Sequence, residues 1–174
     1  MNFTSGLIFL VMSSVAVAAD PASFTSYHNP RFNFEVTYPS FLIPQAEPTN
    51  GAGREFVKGD ARLLVYGSFF PDLSSKEDNF AIADERALIK KDLQKKGVTI
   101  DYDFNKGNVL VLSGSDGKQI VYMKKIFVAH CGVHLYLWLY YPENEKKQWD
   151  NWVDTISPSF KYRTKACQGD YSRI

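Results

Sequence analysis

Val133-His134-Leu135-Tyr136-Leu137-Trp138-Leu139-Tyr140 alternates aliphatic and aromatic side chains without a break. A period of two is the mark of a β-strand, so Val133, Leu135, Leu137 and Leu139 face one way and His134, Tyr136, Trp138 and Tyr140 the other. The aliphatic side is assigned to a core beneath a helix. For the aromatic side two assignments stay open. It is a surface that binds a partner or an apolar ligand, since Tyr and Trp dominate such anchors, or it is the second buried side of a central strand, which a sheet covered on both faces favours.

Working outward, residues 98–104, 108–114 and 119–129 read as three more strands, joined to one another and to 133–141 by Lys106-Gly107, Ser115-Asp116-Gly117 and Cys131-Gly132. Joins this short predict an antiparallel meander. After Pro142, with Asn144 as cap, Trp149, Trp152, Val153, Ile156 and Phe160 recur at helical spacing, and Pro158 ends or kinks that helix. An earlier helix is predicted from a Ser74 or Ser75 cap to about Lys96, with Gly97 as its stop and Ile82, Ile89 and Leu93 as a narrow apolar stripe helped by Phe80, Ala83 and Ala87. Arg31 to Tyr38 alternates strictly and places Phe32, Phe34, Val36 and Tyr38 on one side of a strand. Three prolines and two glycines punctuate the loop from Pro39 to Gly53, and a hairpin across Gly59-Asp60 joins 54–57 to 61–68. The expected class is α+β, an antiparallel sheet of about six to seven strands packed with two main helices.

With 45% hydrophobic and 22% charged residues, the chain has the make-up of one ordinary globular domain. Its net charge of +1 supplies no field to hold nucleic acid or an anionic membrane. Gly6 to Ala19 is uncharged, apolar and then small, and ends at Val17-Ala18-Ala19-Asp20. At about 14 residues it falls short of the ~20 of a spanning helix and reads as a signal peptide over 1–19, although no Lys or Arg precedes it. The expected division is a leader over 1–19, one domain over 20–163 and a polar tail over 164–174. The expected address is periplasmic or secreted. Cys131 and Cys167 are the two cysteines, and an oxidising compartment makes a disulfide between them the default.

Tyr27-x-Asn29-x-Arg31-Phe32-x-Phe34, Tyr38-Pro39, Asn50-Gly51-x-Gly53-Arg54-x-Phe56, Tyr141-Pro142 and Ile156-x-x-Ser159-Phe160 together resemble a family of uncharacterised exported bacterial proteins related to the PsbP/DcrB/Mog superfamily. The resemblance spans about Tyr27 to Phe160 and rests on turns and core aromatics. It implies a sheet sandwiched with helices and a non-catalytic accessory or partner-binding role. Ala52 replaces the acidic residue of the commoner pattern, so the resemblance assigns no ligand role to that loop.

Other constellations are weaker. His130-Cys131-x-x-His134 invites a metal, but residues four apart on a strand lie about 13 Å from each other, and a disulfide removes the thiolate. Asp101-x-Asp103-x-Asn105-x-Gly107 has Lys106 where a calcium loop needs glycine and Leu112 where it needs Glu, so it reads as a polar strand face running into a hairpin. No Gly-rich phosphate loop or nucleophile elbow occurs, and neither a cofactor, a metal nor a catalytic residue is assigned. Lys124-Lys125 and Lys146-Lys147 read as solvated pairs. The functional expectation is a non-catalytic extracytoplasmic module that binds another protein or a small ligand through a sheet face or the loop from Pro39 to Gly53. The alternative is a periplasmic immunity or inhibitor protein against a toxin or cell-wall enzyme, and less favoured is a hydrolase with a dispersed site.

Overall fold

The computed structural model describes residues 23–69, 78–164 and 167, with the side chains of the first helix described from Glu85 onward. The leader expected over 1–19, the Ser74 or Ser75 cap and most of the tail expected over 164–174 lie outside the described residues.

In chain order the elements are β1 (Phe24–Asn29), β2 (Phe34–Pro39), β3 (Ile43–Pro44), β4 (Gly53–Lys58), β5 (Ala61–Phe69), α1 (Asp78–Lys95), β6 (Thr99–Lys106), β7 (Val109–Ser115), β8 (Gln119–Val128), β9 (Val133–Pro142), α2 (Lys146–Ser159) and β10 (Lys161–Tyr162). Seven strands form an antiparallel sheet in the order β3-β4-β5-β9-β8-β7-β6, and β1-β2-β10 form a separate three-stranded sheet. The α+β class, the two helices and the meander from β6 to β9 are as the sequence predicts. Three features differ. The strand expected over 31–38 begins only at Phe34, because Asn33 turns the chain at φ +50°. It also leaves the main sheet to pair with β1, a strand that the polar run Thr25-Ser26 gave no reason to expect. Lys161 and Tyr162, where no strand is predicted, add a third strand to it.

Local chemistry accounts for the turns. Gly59 takes φ +55° between the facing residues Lys58 and Ala61, while Asp60 stays out of the left-handed region, as a type II′ hairpin requires. Gly97, at φ +83°, follows the end of α1. Asn144 does not cap α2; it lies in a turn of 3-10 helix, and the residue at the cap is Glu145, which makes no side-chain capping bond.

The main core lies between the seven-stranded sheet, the three-stranded sheet and α2. Leu135, Leu137 and Leu139 of β9 are fully buried there with Phe34, Val36, Leu63, Val65, Trp149, Ile156 and Phe160. Trp149 stacks on Tyr141, and Phe34 meets Phe160 edge-on, which joins α2 to both sheets. The opposite face of the main sheet carries a thinner core. Leu93 of α1 packs with Val98 and Val121, and Ile89 reaches Leu110, Leu112 and Met123. Ala87, expected to widen the apolar stripe, is exposed. No helix among the described residues is long and apolar enough to cross a membrane.

Candidate functional site

β9 is the central strand of the seven, and its two rows have different fates. The aliphatic row lies in the main core as expected. On the α1 side His134 is buried, while Tyr136, Trp138 and Tyr140 are half-buried. Register explains the neighbours: Tyr136 faces Tyr66 of β5 and Lys125 of β8, and Trp138 faces Leu64 and Met123. Tyr66 stacks on Tyr136 with ring centres 4.8 Å apart, Trp138 and Tyr140 lie parallel at 6.2 Å, and the Arg62 guanidinium sits 5.8 Å from the Tyr140 ring. α1 adjoins this surface through Leu93 and Ile89, which share their apolar clusters with Trp138 and Tyr140. The result is an aromatic ledge beside the helix. Tyr66 and Arg62 belong to it and escape the sequence because only strand pairing brings β5 alongside β9.

At the His134 end the ledge passes into a polar cluster. Lys125 is 1% exposed, and its Nζ meets the Glu85 carboxylate as an ion pair without making a hydrogen bond among the described residues. The Tyr136 hydroxyl donates to Glu85 at 2.6 Å, and His134 Nδ1 lies 3.7 Å from the same carboxylate. Burial lowers the Lys125 ammonium to about 8. Burial, helped by the Lys125 cation, lowers the His134 imidazole to about 4, so it is neutral at neutral pH. Burial pushes the Tyr136 phenol up to about 12.

This cluster overturns the reading of Lys124-Lys125 as a solvated pair. On β8, Lys125 is in phase with Val121, Met123 and Phe127, all buried, while Lys124 points to the other face and donates to the Ser157 carbonyl of α2. The solvated reading holds for Lys146 and Lys147, which are exposed.

The remaining candidates fall elsewhere. Cys131 and Cys167 form a disulfide. The donor atoms of His130, Cys131 and Cys167 lie within 4.8 Å of one another, the arrangement a soft metal would need, but with the sulfurs bonded to each other neither is a thiolate. His134 is not part of that group; it stands beside Glu85. Asp103 accepts from Arg86 and Lys90 of α1, and the Arg86 contact foremost holds its carboxyl below the usual range. The loop from Pro39 to Gly53 is pinned at its far end, where Asn29 donates to the Gly51 carbonyl and Ala52 N–H to the Asn50 side chain. Gly53 is obligatory: a Cβ there would lie 1.9 Å from the Val65 carbonyl oxygen. The motif residues Tyr27, Asn29, Phe34, Phe56 and Phe160 are all buried, so they build the fold.

No family model and no curated protein matches the chain. Among solved structures, cyanobacterial PsbP (CyanoP) from Synechocystis sp. PCC 6803 superposes with a TM-score of 0.60 at 16% identity, over 86% of this chain and 98% of that one. The fold is PsbP-like. The Ran-binding protein Mog1p of Saccharomyces cerevisiae superposes with a TM-score of 0.51 at 9% identity, over 82% of this chain and 96% of that one. The resemblance seen in the sequence to the PsbP/DcrB/Mog superfamily is matched by these two neighbours, and at these identities it is a likeness of fold.

Proposed function

We propose that the protein is a non-catalytic accessory protein acting outside the cytoplasm, where it holds another protein through the ledge of Tyr136, Trp138 and Tyr140. The observation that carries this reading is the half-buried state of those rings, which with Tyr66 and Arg62 present flat aromatic area edged by a cation. Rigid amphipathic rings of this kind give contact area at little entropic cost. Support for the address comes from the apolar leader over 1–19 and from the disulfide. Support for protein binding comes also from the second fold neighbour, a Ran-binding protein.

The test needs variants that disturb the packing beneath α1 least. Trp138 packs against both clusters there and Tyr140 against one, so Tyr140→Ala is used beside Arg62→Ala, which lies outside both. Mature wild-type protein and each variant are used to capture partners from a periplasmic extract, with melting temperature as the control for folding. The expected result is a partner retained by wild type and weakened about tenfold by Tyr140→Ala, a loss typical of an interface anchor. Equal capture by wild type and by both folded variants would remove the ledge from the binding surface.

A further inference from the structure

Three polar groups from two adjacent strands converge on one carboxylate that belongs to neither strand. Lys125 comes from β8, His134 and Tyr136 from β9, and the carboxylate is that of Glu85 on α1. We propose that Lys125, Tyr136 and His134 form a carboxylate-binding site built into the sheet, which Glu85 fills from within the chain and an external carboxylate can fill in its place.

The case begins with the lysine. A fully buried ammonium is costly unless an anion accompanies it. Here the sheet supplies the cation and the hydroxyl donor, and the anion arrives from a different element. The two oxygens are read separately: one accepts from the Tyr136 hydroxyl at 2.6 Å, the other meets Lys125 Nζ. One cation beside a neutral imidazole matches a single negative charge, which suits a carboxylate better than a dianionic phosphate.

Access is the second part. The Lys125 side chain is 2% exposed while that of Glu85 is 26% exposed. The donors therefore form the floor and the carboxylate occupies the mouth, where a ligand from solvent would enter. The Tyr136 ring, with Lys125 Nζ 5.3 Å from its centre and Tyr66 stacked beside it, forms a wall to the same mouth. Glu85 also lies on the helix face of Ile89 and Leu93, one and two turns further on, so it takes the place of an apolar anchor on the stripe that docks α1. The inference does not require the ledge to bind a protein, and its test uses the chain alone with free carboxylates.

The experiment is chemical rescue of Glu85→Ala in the mature, disulfide-bonded protein. In chloride the variant should melt several degrees below wild type, because a buried cation has lost its counter-ion. Formate or acetate, titrated against chloride at constant ionic strength, should restore most of the lost melting temperature in a saturable way. Glu85→Ala/Lys125→Met, which removes the cation as well, should show no response to either acid. If Glu85→Ala is unfolded in chloride, the same titration is read as recovery of near-ultraviolet circular dichroism. Formate acting no better than chloride, or acting equally on the double variant, would overturn the proposal.

Discussion

His134 shows how much of this molecule's behaviour follows from the placement of one side chain. It is 4% exposed, with Glu85, Lys125 and Tyr136 facing it. Its imidazole is held to about 4 in the folded chain, whereas an unfolded histidine takes its proton near 6.5. Between those values the unfolded state binds more protons than the folded one, so stability falls as the pH falls, and the loss at pH 5 is on the order of 2 kcal/mol. Chemical denaturation at pH 7 and pH 5 should show that loss in wild type and a markedly smaller one in His134→Gln. Equal losses in the two proteins would mean that His134 is not held neutral. The burial of His134 was half legible, since the alternation of β9 placed it on one side of a central strand. Lys125 was legible in the same way, because it keeps step with Val121, Met123 and Phe127, but two adjacent lysines read as a charged pair when the period of the strand is set aside. Glu85 was not legible at all. Its role depends on where a helix lands on a sheet, and no spacing within the helix or the strand encodes that.

α1 is held over the sheet by means unlike those that hold α2. α2 buries Trp149 and Ile156 in the main core, whereas the described part of α1 offers Leu93 and the partly buried Ile89 and relies on ions at its sides. Arg86 donates to Asp103 at 2.8 Å and Lys90 at 2.6 Å, which ties the helix to the edge strand β6. Partly exposed charge-assisted bonds are worth little individually, so Asp103→Asn should cost about 1 kcal/mol of global stability. Its sharper effect should be local. Amide exchange in α1 should quicken relative to wild type while β8 and β9 keep their protection; uniform quickening across the chain would show that α1 unfolds only with the rest. The elements themselves were largely readable because hairpins are local: Gly59, Gly107 and Gly117 take positive φ where the turns of β4-β5, β6-β7 and β7-β8 were expected. What escaped was assembly. Nothing in Phe34-Glu35-Val36-Thr37-Tyr38 says that its partners are β1 and a two-residue strand more than a hundred positions onward, since that choice is made by packing over the Phe32–Phe160 core and not by the strand's own pattern.

At the scale of the whole chain, the disulfide closes the last quarter of the described structure on itself. Cys131 and Cys167 are 36 positions apart, and the loop between them contains β9, α2 and β10. These are the central strand, the helix that caps the main core and the strand that completes the smaller sheet. Cross-linking them restricts the unfolded chain by an amount the loop-entropy relation puts at about 3 to 4 kcal/mol. For a domain of this size that is roughly 10 °C of melting temperature. Reduction of the wild-type protein should lower its melting temperature by about that much, and Cys131→Ser should melt near the reduced wild type and ignore the reductant. Coincident melting of oxidised and reduced wild type would show that the cross-link adds nothing to the fold. Cys131 is buried beside the Tyr162 hydroxyl while Cys167 is exposed, so a soluble thiol reaches the bond from the Cys167 side. Stability thus becomes a function of compartment: the same sequence carries its full margin in oxidising surroundings and a reduced one among thiols.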